Sequence, residues 1–277
     1  MKFTEEEKEQ ICKLYKKGIG VTEICRTIES LNNRKPQTLY PILIKAGLYQ
    51  KKTPNDLRRN KINDNYFEVI DNEHKAYWLG FLLADGYLID SGHSKKSFGI
   101  TLNEYDSYIL EELKKDLETT YPVRHYRDIR ETYISETAKI TMKSEKIFND
   151  LKKHGFTLNK SYDGVVSEFL PKNMYWHFIR GYFDGNGGLS IAGDKKYHTY
   201  TLDFTGTYEI IYWIQNVIGK DNVKLQQRHP DRNNNNFTIK ICGDLQVYKI
   251  CSKIYKDSTI HLKRKFERFL HLCEKYN

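Results

Sequence analysis

Two short stretches of this sequence hold residue types able to bring oxygen ligands together at one point. Ala76-Tyr-Trp-Leu-Gly-Phe-Leu-Leu-Ala-Asp-Gly86 and Trp176-His-Phe-Ile-Arg-Gly-Tyr-Phe-Asp-Gly-Asn-Gly187 stand roughly 100 residues apart. Each reads as a helix closed by a left-handed glycine cap, Gly86 or Gly187, with Asp85 or Asn186 just before it. Small residues four apart, Gly80 with Ala84 and Gly181 with Gly185, share one helix face and let a second backbone come close. Packed parallel against each other, the two helices bring Asp85 and Asn186 to one point. Helix C-termini carry partial negative charge, so an acid placed there calls for a cation. Oxygen ligands favour a hard ion, Mg2+ or another divalent cation, which activates water and stabilises in-line displacement at phosphorus. Asp184 lies two residues too early to stand in for residue 186 and points off at a different helical angle.

The surrounding elements repeat as well. In the first half, strands are predicted near Phe98–Leu102, Val123–Asp128 and Ala138–Met142, and helices near Asp106–Leu117 and Ser144–His154. In the second, strands are predicted near Leu189–Ala192, Thr199–Thr205, Asn222–Arg228 and Phe237–Cys242. The matching helices fall near Tyr208–Ile218 and Asp244–Tyr255, and a last one runs from Leu262 to Lys275. Such a repeat means two similar α+β halves in one chain. The predicted divisions are 1–50, a compact helical unit; 51–70, a basic linker; 71–164, the first half; and 165–277, the second.

The paired decapeptides resemble the two copies of the LAGLIDADG motif of homing endonucleases, and the similarity runs from about residue 71 to 277. Gly155-Phe-Thr-Leu-Asn-Lys-Ser161 and His261-Leu-Lys-Arg-Lys-Phe-Glu-Arg-Phe269 are similar to the segments that close each half. The resemblance implies two pseudo-symmetric αββαββα halves whose sheets form a saddle over DNA, with the last acid of each motif on a divalent metal. It implies a site-specific double-stranded DNA endonuclease that works as a monomer. Asp85 matches the first acid; Asn186 replaces the second. An amide lends a carbonyl oxygen but no charge, which predicts weakened metal binding and selective impairment of one strand's cleavage, leaving the enzyme either disabled or a nickase. Two alternatives stay open on the same scaffold, a non-cleaving sequence-specific regulator and an RNA maturase. The closing segments also bring Lys160 and Lys263, with Lys265, as candidates for stabilising transition-state charge.

DNA contacts are expected from strand alternation. In the second half Lys224, Gln226 and Arg228, then Thr238 and Lys240, are expected to face away from the core, as are Thr201, Asp203 and Thr205. Arg124 and Tyr126 are the first-half equivalents, with Asp128 beside them. Arginine and glutamine on a ribbon suit guanine and adenine in the major groove. The first 50 residues read as a helix-turn-helix, helices broken at Gly18, Gly20 and the turn around Pro36. Lys35, Gln37, Thr38 and Tyr40 lie on its last helix, and Lys51, Lys52, Arg58 and Arg59 follow as a phosphate-tracking arm.

Charge agrees with a polyanionic partner: 45 Lys and Arg against 36 Asp and Glu leave a formal +9. The 39% hydrophobic content suffices for a core. The longest apolar stretch, Tyr77 to Ala84, is far shorter than the roughly 20 residues of a membrane span. The Met-Lys-Phe-Thr-Glu opening has no secretory signature, and the five cysteines contain no CxxC pair. A cytoplasmic protein with neither structural zinc nor a protein partner is expected.

Overall fold

The computed structural model describes residues 3–50, 59–92, 96–129, 132–193, 198–232 and 234–276. These form two compact units, Met1–Arg59 and Asn60–Asn277. Among the described residues, no helix is long and apolar enough to cross a membrane.

In the first unit, α1 (Glu5–Lys16), α2 (Val21–Thr27) and α3 (Tyr40–Lys45) enclose Ile11, Ile24, Cys25, Leu31, Leu39 and Leu43. Thr4 opens α1 with a capping box: its hydroxyl accepts from the Glu7 N–H at 3.2 Å, and the Glu7 carboxylate accepts from the Thr4 N–H at 2.8 Å. The single third helix expected here is divided. Pro36 opens a 3-10 turn, Pro36–Leu39, and α3 starts anew with Pro41 in its first turn. A proline lacks the N–H that continues a helix, so each of these prolines begins a run. Lys35, Gln37 and Thr38 are exposed at that turn, and Tyr40 lies against Tyr49 with ring centroids 4.5 Å apart. Lys51, Lys52 and Arg58 lie outside the described residues; Arg59 is exposed at the end of the unit.

The second unit starts earlier than the predicted half. Ile62, Tyr66, Phe67 and Ile70 are buried in its core, and two backbone bonds, Asn63 N–H to the Leu117 carbonyl (2.9 Å) and Thr120 N–H to the Lys61 carbonyl (3.1 Å), hold the segment. The linker expected over 51–70 therefore does not extend through 60–70. Its polar composition hides four apolar residues that only the folded neighbours unite.

The repeat follows. The first half runs α4 (Glu73–Asp85), β1 (Gly86–Asp90), β2 (Lys96–Asn103), α5 (Tyr108–Asp116), β3 (Arg124–Ile129), β4 (Ile134–Lys143), α6 (Glu145–Lys153) and the short α7 (Lys160–Asp163). The second runs α8 (Tyr175–Asn186), β5 (Gly187–Gly193), β6 (His198–Gly206), α9 (Tyr208–Ile218), β7 (Gln226–Gln227), β8 (Phe237–Cys242), α10 (Asp244–Ile254) and α11 (Lys263–Cys273). The sheets have the orders β1-β2-β4-β3 and β5-β6-β8-β7, antiparallel throughout. This is the expected α+β class with two αββαββα halves, each carrying an extra short or terminal helix.

Strand alternation gives each sheet a buried and an open face. Phe98, Ile100 and Leu102 of β2 pair with Met142, Ile140 and Ala138 of β4 on the buried side. In the second sheet Leu202 and Phe204 pair with Ile241 and Ile239. The open faces lie beside the carboxyl ends of α4 and α8, because β1 and β5 begin at the very next residue.

Candidate active site

The helices α4 and α8 pack as the small residues require. A Cβ on Gly80 would overlap the Phe178 carbonyl oxygen, and one on Gly181 would overlap the Tyr77 carbonyl oxygen. One on Gly185 would overlap the Ala84 methyl. The reciprocity of the first two contacts is that of a two-fold axis between parallel helices. At the other end Arg180, fully buried, donates to Glu73 at 2.5 Å and to the Ile254 and Ile260 carbonyls at 3.0 and 2.9 Å. Arg180 thus ties the halves together away from the site.

At the carboxyl ends, the position of Gly185 leaves 3.3 Å between its would-be Cβ and the Asp85 carboxylate. The Asn186 amide nitrogen reaches the Ala84 carbonyl at 3.4 Å. Asp85 and Asn186 therefore meet where expected. The glycines after them are not left-handed caps: Gly86 has φ −72°, ψ 173° and Gly187 has φ −103°, ψ 161°, both extended. They are small for another reason, since a Cβ at either would press on the preceding turn, at the Leu82 or Phe183 carbonyl oxygen. The chain leaves each helix directly into a strand, which is why β1 exists although no strand was expected there.

The cation that each helix end calls for is a lysine. Lys160 Nζ donates to the Leu83 carbonyl at 2.8 Å and to the Ala84 carbonyl. Lys265 Nζ donates to the carbonyls of Phe183, Asp184 and Gly187 at 2.5, 2.9 and 2.6 Å. Burial pushes each ammonium down to about 8, and the carboxylate beside it, Asp85 for Lys160 and Asp184 for Lys265, draws it back up. Lys263 is placed elsewhere: it is exposed, with its ammonium 4.6 Å from the centre of the Tyr108 ring. Lys265, two residues on and one helical face round, is the second-half counterpart of Lys160.

Each lysine is positioned by a segment that crosses to the opposite half. Thr207, the cap of α9, donates to the Gly164 carbonyl at 2.7 Å, and Asn235 donates to the Tyr162 carbonyl at 2.8 Å. Reciprocally, Arg264 holds Asp106 at 3.0 Å and the Lys263 N–H donates to the Tyr108 hydroxyl at 2.7 Å.

Burial pushes the Asp85 carboxyl up, opposed by Lys160, Lys265 and Arg264. It accepts no hydrogen bond among the described residues. Asp184, as its helical position implied, turns inward: Oδ2 accepts from Tyr77 Oη at 2.9 Å and from the Leu262 N–H at 2.7 Å, while Oδ1 is buried without a partner. Burial pushes its pKa up to about 6, with Lys265 opposing. A raised carboxyl costs stability once it ionises, so the penalty is small below pH 4 and grows as pH rises through 6. Asp184→Asn is therefore expected to gain about 1 kcal/mol relative to the parent between pH 5 and 7.5; urea titrations of both proteins at the two pH values measure it.

The residues expected to contact DNA lie along the open sheet faces. Arg124 and Tyr126 pair with Lys139 and Thr137, and Asp128 with Ser135. Gln226 pairs with Thr238, itself opposite Thr205, and Lys240 pairs with Asp203. Two assignments change. Because β7 is only two residues long, Lys224 lies before the strand and Arg228 just after it, although the Arg228 N–H still reaches the Asn236 carbonyl at 2.7 Å. The polar run that follows, with His229 at φ 55°, turns the chain before a longer strand forms. Sequence reasoning passed over Tyr87, Thr101, Thr141 and Lys139, although the alternation around Ala138, Ile140 and Met142 marks the last two. Tyr87 Oη meets Thr141 Oγ1 at 2.7 Å, and the Lys139 ammonium stands 5.1 Å from the centre of its ring.

Among the described residues, no group of three or more His, Cys, Asp and Glu side chains is placed to hold a metal ion. The donors at the helix ends are hard oxygens, the Asp85 carboxylate and the Asn186 amide oxygen, with a glycine at 185 leaving room beside the acid. That chemistry fits a divalent cation whose other ligands come from water and a phosphate.

No family model matches the sequence, and no curated protein matches it. Solved structures do match. The LAGLIDADG homing endonuclease I-GzeII in complex with its DNA target aligns with a TM-score of 0.50 and 12% sequence identity, over 74% of this chain and 89% of that one. A double mutant of I-SmaMI aligns with a TM-score of 0.52 and 11% identity, over 73% of this chain and 90% of that one. This chain has the LAGLIDADG homing endonuclease fold. Within that fold α4 and α8 carry the paired decapeptides and pack against each other.

Proposed function

We propose that the protein is a site-specific double-stranded DNA endonuclease of the LAGLIDADG family, with the second half of its active site weakened by Asn186. The observation that carries this reading is the placement of Asp85. It sits at the meeting of the two helix ends, half-buried, beside two lysines and next to sheet faces that present Arg124, Lys139, Gln226 and Lys240. A divalent cation bound there supplies an activated water and charge stabilisation at phosphorus. The chain's own residues do the rest. Asp85 offers anionic oxygens; Lys160 and Lys265, fixed on backbone carbonyls, set positive charge near the phosphate; Asn186 contributes an oxygen without charge. The two sheets place the duplex, in one chain and without a second copy.

The N-terminal unit adds a separate DNA contact through Lys35, Gln37 and Thr38, the helix-turn-helix role expected of it. Asn186 favours a second reading, a DNA-binding protein that does not cut. Both readings require sequence-specific binding, which is tested by selecting duplexes from a randomised library with the full chain. Arg124→Ala is expected to relax base preference about tenfold at one position of the recovered site, the share of a single bidentate contact. A uniform loss at all positions speaks against direct reading by this sheet.

A further inference from the structure

We infer that Asp203, on β6, supplies to the second half of the site the negative charge that Asn186 lacks, and that it faces a divalent cation when DNA is bound. The inference rests on the endonuclease reading above. Asp203 is the cross-strand partner of Gly188, two residues beyond Asn186. Its carboxylate leans over that glycine: a Cβ on Gly188 would overlap Oδ2 and lie 3.0 Å from Oδ1. Gly188 is thus a cradle for an acid.

The first half has the same pair with its sizes exchanged. Tyr87 is paired with Gly99, and it is the tyrosine that covers the glycine, its hydroxyl held by Thr141. There the acid is Asp85, on the helix. In the second half the helix offers Asn186, and the acid stands on the neighbouring strand. The other acids nearby are committed: Asp184 to Tyr77 and the Leu262 N–H, Asp106 to Arg264. Asp203 makes no hydrogen bond or ion pair among the described residues, not even with its register partner Lys240. Half-buried on a sheet face that also carries Lys240, an unpaired carboxylate repels a phosphate backbone unless a cation stands between them. A carboxylate is also the ligand type such an ion prefers.

The test reads DNA affinity, not cleavage. A fluorescent duplex recovered by the library selection is titrated with the parent chain and with Asp203→Asn, in EDTA and in Ca2+. With no cation, removing the acid removes repulsion, and the variant is expected to bind about fivefold tighter than the parent. In Ca2+ the order reverses and the variant binds about fivefold weaker. Adding Asn186→Asp to Asp203→Asn is expected to restore the Ca2+ response. Tighter binding by Asp203→Asn in both buffers marks Asp203 as merely repulsive and overturns the inference, as does an unchanged Ca2+ response. If that response survives in Asp203→Asn but is lost in Asp85→Asn, the inference fails and the endonuclease reading stands. No Ca2+ response in the parent or in Asn186→Asp removes both.

Discussion

Asn186→Asp is expected to raise double-strand cleavage in Mg2+ by roughly a hundredfold, the usual scale for a charged group that acts on a catalytic metal. The substitution is nearly isosteric, and the Asn186 side chain lies beside the Tyr182 hydroxyl and makes a long contact to the Ala84 carbonyl at 3.4 Å. Little structural change is therefore expected, and the gain reports charge. Asp85→Asn is the converse. It leaves the site with amides at both helix ends, and it is expected to remove the residual cutting while DNA binding persists. Quantified gels of supercoiled, nicked and linear plasmid separate these effects, because an intact site on one side alone yields nicks. Equal rates for parent and Asn186→Asp place the limiting defect elsewhere.

The largest expected effect on stability lies at the same helix pair. Gly181→Leu puts a side chain where the Tyr77 carbonyl oxygen already stands, with the Phe81 backbone nitrogen 2.9 Å from even the first added carbon. Backbone cannot rotate aside as a side chain can, so α4 and α8 must separate. The cost is expected to be about 3 kcal/mol or more, a fall of roughly 10 °C in Tm for a unit of this size. Separation also parts Asp85 from Asn186, so any variant that remains folded is expected to lose DNA cleavage as well. Calorimetry of the full chain measures the first effect; an unshifted main transition means the helices do not touch as described.

Much of this arrangement was legible because it depends on local period. Glycines four apart mark a contact face, alternation along β2, β4, β6 and β8 separates core from open face, and the repeat of the decapeptide puts two helix ends together. What escaped depends on partners distant in sequence. Gly86 and Gly187 look like left-handed caps, yet they are small because their own preceding turn crowds them. Ile62, Tyr66, Phe67 and Ile70 look like an interrupted linker until the core they fill is present. Lys263 and Lys265 are equally basic and two residues apart; only the packing of α11 decides that Lys265 reaches the helix end. Asp203 was readable as open-face, but its lean over Gly188 needs the register between β5 and β6. In each case composition gives the residue type, and tertiary contact gives its role.

The most direct measurement incubates the full chain with a supercoiled plasmid carrying the selected duplex, in Mg2+ and in EDTA, alongside Asn186→Asp and Asp85→Asn. The account predicts nicked circles from the parent and linear plasmid from Asn186→Asp, both only in Mg2+, and intact plasmid from Asp85→Asn. Plasmid that is bound yet uncut by both the parent and Asn186→Asp contradicts it, and the protein is then a sequence-specific binder on a nuclease fold.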